Sequence, residues 1–412
     1  MAISNPIVLF VLLLLTAVSV VHAEDSQVEK KPAEKEPVEK KLAEKPPADK
    51  KQDEEAKADE AKEESKPSQE VAKKSSTTDI TLELMGEFVG TISRDGSSKK
   101  FGLQLRTTGK RDFQALLIPG GLPGAGGEIP EVPRPSVQEK NSDLVIDPNV
   151  GMSPAGRKAF QVVPALVGRL SDETLILSGF DAAIFVNRDG CKFIDSEGEL
   201  VGRFDRVRRV SPTLGARPPE GAIVLFNGEE PSLLSGAEVT SEGLLKEGFQ
   251  IAPMIQDFDL HLEFRIPYMP MMDSQKRGNS GIYLHSRYES QVLDSFATPP
   301  LFNGLGAVYR TFPPRLNMAL PPLVWQTYDI RFTAPRFLAS GEKFSNARIS
   351  SWINGVIVQD DVEIPNKTGH GKPEEPILLP THIQDHNDPV RFRNMWMIDR
   401  GIHHVDFPVM AE

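Results

Sequence analysis

From Gly278 to Phe296 the chain reads GNSGIYLHSRYESQVLDSF, a short stretch holding most of the residue types that move protons or read hydroxyls. Side chains alternate faces along a strand. Tyr283 and His285 therefore share one side of a first strand, and Glu289 and Gln291 one side of a second, with a turn near Ser286-Arg287 between them. A β-bulge resets that alternation, and one near Leu293 returns Asp294 to the side of Glu289 and Gln291. An aromatic ring, a histidine, an amide and two carboxylates on one open face are what a sugar site requires. The ring stacks on the apolar face of the sugar, and the polar groups bind hydroxyls and transfer protons. The plainer alternative stays open, because carboxylates at strand ends are often only solvated or paired.

The elements that must position this face lie in a block of roughly residues 219–412. Strands are expected at Ile223–Phe226, Asp257–Ile266, Gly281–Ser286, Glu289–Asp294, Thr327–Phe332, Ala347–Ile353, Val356–Val362 and Val390–Ile398. Asp257–Ile266 alternates strictly, which predicts a strand with one face on the core and the other on water. Asn354-Gly355 between two alternating runs predicts a two-residue hairpin turn. No helical periodicity extends beyond about two turns. So many strands in so short a block imply an all-β antiparallel sandwich of two sheets, of the jelly-roll type.

Five ordered motifs in this block carry a resemblance: Gly278-Asn279-Ser280-Gly281; Tyr288-Glu289-x-Gln291-x-x-Asp294; Trp325-Gln-Thr-Tyr328-Asp-Ile; Trp352-Ile-Asn354-Gly355-Val; and Gln384-Asp-His386-x-x-Pro389-Val-Arg391-Phe-Arg393-Asn394. Over about residues 219–400 the sequence resembles the 3-keto-disaccharide hydrolase family, which implies a concanavalin A-like lectin/glucanase fold. The Glu289-x-Gln291-x-x-Asp294 spacing is also similar to the catalytic strand of lectin-fold glucanases, with an amide where those carry a middle aspartate. The Pro- and Met-rich loop Tyr268–Lys276 has no place in the family pattern.

The resemblance implies chemistry at a 3-keto sugar. Its C2 hydrogen is acidified by the neighbouring carbonyl. A base removes it, the enolate expels the aglycone from C1, and water adds to the unsaturated sugar. Glu289 is then expected as the base and Asp294 as an acid or metal ligand, with His285 a rival for either part. Asn279, Tyr283 and Gln291 are expected to hold the sugar. His386, with Arg391 or Arg393, would stabilise the enolate from the rim if the C-terminal strand lies beside the site. A divalent cation is an alternative stabiliser, since Glu289, Asp294 and the Asp385/His386/Asp388 group offer ligands. Arg391 and Arg393 also fit the solvated side of a strand, and His382 and His386 a local network around Asp385.

Residues 79–215 form a second β-rich block, with strands expected at Glu87–Ser93, Phe101–Thr107, Phe113–Ile118, Thr174–Ser178 and Ala182–Asn187, and a long loop over Gly120–Ser136. It reads as a smaller accessory domain. Cys191, the single cysteine, excludes an intrachain disulfide and fits a buried thiol. Residues 24–78 alternate Lys and Glu with Ala and Pro and carry no aromatic residue, which predicts a disordered linker. Residues 7–21 form an apolar run too short for a comfortable span and followed by Val21-His22-Ala23. A cleaved signal peptide over residues 1–23 is expected, with an uncleaved anchor as the alternative. Export to the cell envelope or beyond follows from that. The net charge of −11 excludes a broad basic nucleic-acid surface. Three functions fit: an enzyme on 3-keto-glycosides, a non-catalytic lectin-like module, and a conventional β-glucanase with a Glu/Asp pair.

Overall fold

The computed structural model describes residues 79–128, 137–140, 143–146, 166–171, 174–180 and 182–401. The expected signal peptide and linker, and residues 129–136 of the expected loop, lie outside the described residues.

Two β-structures follow one another. In the first, Gly86–Arg94 (β1), Ser97–Thr107 (β2), Asp112–Pro119 (β3), Leu166–Ser171 (β4), Thr174–Phe180 (β5), Ala182–Val186 (β6), Gly190–Asp195 (β7) and Leu200–Val207 (β8) close a barrel. Its order is β1-β8-β7-β6-β5-β4-β3-β2, antiparallel throughout. Alternation along these strands turns Phe88, Leu103, Leu105, Phe113, Leu175, Leu177, Ile184, Phe193 and Phe204 inward. Closure leaves no strand edge unpaired. Cys191 is buried in this core, and burial pushes its thiol up to about 12, so it is a packing residue and not a nucleophile. A short helix, Ile80–Leu84 (α1), capped by the Asp79 carboxylate, sits at the barrel's entry. The Arg206 guanidinium holds it by donating to the carbonyls of Glu83, Leu84 and Met85.

The second structure is the expected antiparallel sandwich. Its strands are Ile223–Phe226 (β9), Leu234–Ser235 (β10), Phe249–Ile251 (β11), Phe258–Arg265 (β12), Ser280–Leu284 (β13), Tyr288–Val292 (β14), Trp325–Thr333 (β15), Ala347–Ile353 (β16), Val356–Ile364 (β17), His382–Ile383 (β18) and Arg391–Asp399 (β19). A six-stranded sheet runs β9-β19-β12-β15-β16-β17, and a five-stranded sheet runs β10-β11-β18-β13-β14. Phe258, Leu260, Leu262, Phe264, Tyr328, Phe332 and Phe392 of the larger sheet pack against Ile282, Leu284, Tyr288, Val292 and Ile383 of the smaller one. Asn354 and Gly355 both take positive φ in the turn between β16 and β17, as their sequence requires.

One expectation needs correction here. The polar face of β12 is not on water: His261 and Glu263 are each 1% exposed. The segment after the barrel covers them. Gly215 N–H donates to Glu263, and Ser211 and Thr213 bond Thr327 on the neighbouring β15. Barrel and sandwich also touch directly. The Thr81 and Tyr268 hydroxyls are 2.6 Å apart, and Arg277 Nη1 donates to Thr107 O at 2.7 Å. Among the described residues no helix is long and apolar enough to cross a membrane.

Candidate active site

The β13–β14 hairpin positions the central residues. Its ladder runs in unbroken register from Leu284↔Tyr288 to Ser280↔Val292. Ile282, Leu284, Tyr288 and Val292 therefore enter the core, while Gly281, Tyr283, Glu289 and Gln291 share the opposite face. Cross-strand pairing extends that face: Tyr283 lies opposite Glu289 on one side and His382 of β18 on the other. The Tyr283 and His382 rings stack, with centroids 4.6 Å apart and planes 7° from parallel.

Glu289 is 4% exposed. Tyr283 Oη donates to its Oε2 at 2.9 Å, and no ion pair reaches it among the described residues. Burial pushes its carboxyl up to about 7, the Tyr283 hydroxyl only partly opposing the shift. Glycines make room for it on two sides. A Cβ on Gly281 would stand 2.8 Å from Glu289 Oε1, and one on Gly369 (φ +45) would stand 3.2 Å from Oε2. The segment 366–371 is thus laid over the carboxyl, pinned by Thr368 Oγ1, which accepts from Glu289 N–H at 2.6 Å. Tyr309 lines the same place, its ring against Gly369 and its N–H donating to Glu289 O at 2.9 Å. Burial and the Glu289 charge both raise the Tyr309 phenol.

Gln291 is fully buried beside Glu289. One end of its amide lies 2.9 Å from Glu289 Oε1 and 3.2 Å from Ser280 O. The other lies 3.1 Å from Asn279 Oδ1 and 3.2 Å from Gln275 Oε1. Gln384, the residue that follows β18, brings its Oε1 near Gly281, where that oxygen is buried without a partner. Tyr283, Glu289, Gln291 and Asn279 are thus brought together as the sequence predicts. Tyr309, His382, Gln384 and Gln275 join them without having been singled out as site residues. The alternation of His382, Ile383 and Gln384 around a buried isoleucine was the available signal for two of these. Tyr309 sits in a loop and Gln275 in the short 3₁₀ turn Ser274–Lys276, where no periodicity marks a face.

Other expected members lie elsewhere. The first strand ends at Leu284, not Ser286. His285 and Ser286 adopt left-handed turn conformations at φ 49 and 55, which carries the His285 ring to the core side. There its Nε2 bonds Ile255 O at 2.8 Å, its ring sits edge-on to Phe332, and burial depresses it to about 4. It is a neutral packing residue. A cleft of about 340 Å³ opens on that side, lined by His285, Gln256, Arg336, Phe337, Ile377 and Leu378, and Glu289 takes no part in it.

Asp294 is also displaced. The expected bulge is absent, because the ladder ends at Val292 and the chain turns away, with Asp294 N–H donating to Arg277 O. The Asp294 carboxylate pairs with Arg277 at 2.6 Å, both side chains being nearly inaccessible, and accepts from Phe296 N–H. With both oxygens engaged it is a structural anion rather than an acid at the sugar. Arg391 and Arg393 stand on β19 in the other sheet. Arg391 pairs with Glu247, and Arg393 pairs with Glu263 and lies 4.0 Å over the Trp325 ring. They stabilise the outer face of the six-stranded sheet and do not line the Glu289 site. His386 is exposed on the turn where Asp385 accepts from Asn387 N–H, and no hydrogen bond among the described residues joins it to Glu289. The expected cation set does not assemble either: Asp388 is taken by Asn279 N–H, and no group of three or more His, Cys, Asp or Glu among the described residues could hold a metal ion.

Comparisons with known proteins bear on the same region. Residues 221–398 match the family model of the 3-keto-α-glucoside-1,2-lyase-like domain. Among solved structures, a provisionally assigned glycosyl hydrolase from Parabacteroides distasonis ATCC 8503 is 30% identical, covering 44% of this chain and 84% of its own, at a TM-score of 0.41. A second so assigned from the same organism is 16% identical, covering 47% and 99%, at a TM-score of 0.32. No curated protein matches the chain. Through residues 221–398, which hold the whole of the Glu289 face, the chain belongs to the 3-keto-α-glucoside-1,2-lyase-like domain family.

Proposed function

We propose that the protein is an exported enzyme that cleaves 3-keto-glycosides, with Glu289 as the group that exchanges a proton with C2 of the sugar. One observation carries this reading: Glu289 is a buried carboxyl that no cation among the described residues pairs, raised to about 7 and held by a tyrosine hydroxyl. A base poised near neutral pH is what abstraction next to a ketone requires. Ionised Glu289 takes the C2 proton and the electron pair moves into the C2–C3–O enolate. When the C3 ketone re-forms, the C1–C2 double bond forms and the C1–O bond to the aglycone breaks. The leaving oxygen takes up one proton. Hydration then returns a proton to C2 and adds hydroxide to C1, so the sum of the two steps is hydrolysis. Tyr283 and Tyr309 stand where phenol hydroxyls can steady oxyanion charge, and Gln384 Oε1 offers an unused acceptor to a sugar hydroxyl. A sugar reaching Glu289 has to displace part of the 366–371 segment.

The arrangement speaks against a conventional β-glucanase, which needs a second free carboxyl at the bond; Asp294 is committed to Arg277. In this reading residues 1–23 direct export, residues 24–78 tether the folded part, and residues 79–215 form an accessory module. Matched disaccharides, one oxidised at C3 and one not, test the proposal. The wild-type protein is expected to cleave only the oxidised one, and Glu289→Gln to lower that rate about 10²- to 10⁴-fold. Turnover of the unoxidised sugar, or full activity in Glu289→Gln, overturns it. Binding without turnover would instead make the domain a lectin.

A further inference from the structure

The amides beside Glu289 form a chain whose direction is set at its far end. Gln275 Nε2 donates to the backbone carbonyl of Asn303 at 3.0 Å, and Asn279 Nδ2 donates to the backbone carbonyl of Gln275 at 2.8 Å. A carbonyl oxygen can only accept, so both amides are fixed with their own oxygens turned to Gln291. The end of Gln291 that meets those two oxygens must be its nitrogen, and it sits 3.1 and 3.2 Å from them. The oxygen of Gln291 then faces Glu289 Oε1 at 2.9 Å and Ser280 O at 3.2 Å. Two oxygens at 2.9 Å need a proton between them. Ser280 O is a backbone carbonyl and has none to give; a carboxylic acid does.

We propose that the resting protein holds Glu289 as a neutral acid donating to Gln291, and that Gln275 and Asn279 are the positioning residues that impose this state. Ionising Glu289 requires Gln291 to turn its nitrogen inward. Its oxygen would then face Asn279 Oδ1 and Gln275 Oε1, and relieving that clash breaks their bonds to the Gln275 and Asn303 carbonyls. The proton on Glu289 is therefore coupled to the loop Tyr268–Lys276, through Gln275. Burial acts in the same direction. The other groups facing Glu289 leave this arrangement intact. Tyr283 donates to Oε2 and not Oε1, and Tyr309 approaches from the 304–312 loop. Lys372 bears on His382, and Arg310 on Tyr309. The catalytic meaning rests on the function proposed above: the resting site presents an acid, and substrate must reverse the amide chain to obtain the base.

The test is a carboxyl ¹³C titration of glutamate-labelled full-length protein, with Glu289→Gln assigning the resonance. The wild-type midpoint is expected near 7. Gln275→Ala removes one of the two oxygens that hold the Gln291 nitrogen away from the carboxyl, leaving Asn279 Oδ1, and should lower the midpoint by up to about one unit, a tenfold loss of proton affinity. Gln275→Glu keeps an acceptor facing Gln291 and should leave the midpoint as high or higher. Gln275 is half-buried in a loop, so both variants should fold. A wild-type midpoint in the ordinary carboxylate range, an unmoved midpoint in Gln275→Ala, or a fall in Gln275→Glu overturns the proposal. Parallel pH–rate profiles on the oxidised disaccharide separate the two ideas. If the midpoint moves and the acid limb of kcat/KM does not, the amide chain stands and Glu289 is not the base.

Discussion

Glu289 and Asp294 belong to the same strand and its exit, and they are buried to the same degree, 4% and 6% exposed. Their surroundings differ in one respect. Asp294 meets a guanidinium, Arg277, whose Nη1 also ties the sandwich to Thr107 of the barrel. Among the described residues Glu289 meets a hydroxyl and amides and pairs with no cation. Asp257 with Arg336, and Glu263 with Arg393 and Asn394, repeat the Asp294 pattern. A buried carboxyl paired with a guanidinium serves structure. One without a cation holds its proton more tightly and can exchange it near neutrality.

The sharpest way to break this comparison is to neutralise each carboxyl. Asp294→Asn leaves Arg277 charged, buried and unpaired, and its Nη2 already lacks a partner. Losing one member of a buried pair costs about 3–5 kcal/mol, read as a fall in the urea midpoint. Glu289→Gln removes no ion pair and should change stability at pH 5 by less than about 1 kcal/mol. Equal losses in the two variants would erase the distinction.

A slightly smaller effect separates them by pH. The folded-state value for Glu289, about 7, lies above its ordinary 4.5. The native protein therefore keeps a proton that the unfolded chain releases. That stability is fully present below about pH 4.5 and is lost as pH rises through 7, by about 3 kcal/mol in all. His285 acts in the opposite sense: depressed to about 4, it loses stability as pH falls through that value. Because Glu289→Gln retains His285, the difference between wild type and variant isolates Glu289. Urea unfolding across pH 4–8 should show the variant gaining on the wild type as pH rises through 7, and a flat difference would mean that Glu289 titrates normally.

How much of this was legible in the residues follows from the range of the interactions involved. The strict alternation of Phe258 to Ile266 and the Asn354-Gly355 turn act locally, and both appear in the sandwich. That Tyr283, Glu289 and Gln291 share a face follows from period-two geometry together with the expected hairpin turn. Asp294 lies away from the site because only a bulge would return it there, and no local feature of Leu293 specifies whether a ladder bulges or ends. The decisive partner, Arg277, approaches from the other side of the hairpin. His285 lies away from it for a related reason: a strand end and a left-handed turn residue carry the same letters, and φ at one position decides the face. Arg391 and Arg393 were assigned by motif, but sheet membership is set by strand order, which no periodicity encodes. Barrel closure and the segment 211–216 over His261 and Glu263 are likewise long-range.

Gly281 offers the smallest and most local test of the comparison. It is the cross-strand neighbour of Gln291, in backbone any residue adopts, so no strain attends its replacement. What excludes a side chain is space: a Cβ would lie 2.8 Å from Glu289 Oε1, 3.1 Å from Glu289 Cγ and 3.2 Å from Gln384 Oε1. These are side-chain ends that can yield by a few tenths of an ångström, so Gly281→Ala should fold with a modest stability loss. In the proposed function the carboxyl that yields is the one that meets C2, and a displacement of that size costs about ten- to a hundredfold in rate. The expected outcome is a fall in kcat on the oxidised disaccharide with little change in the urea midpoint. If activity persists in Gly281→Ala, the chemistry does not depend on where Glu289 stands, and the contrast with Asp294 is one of electrostatics without catalytic meaning.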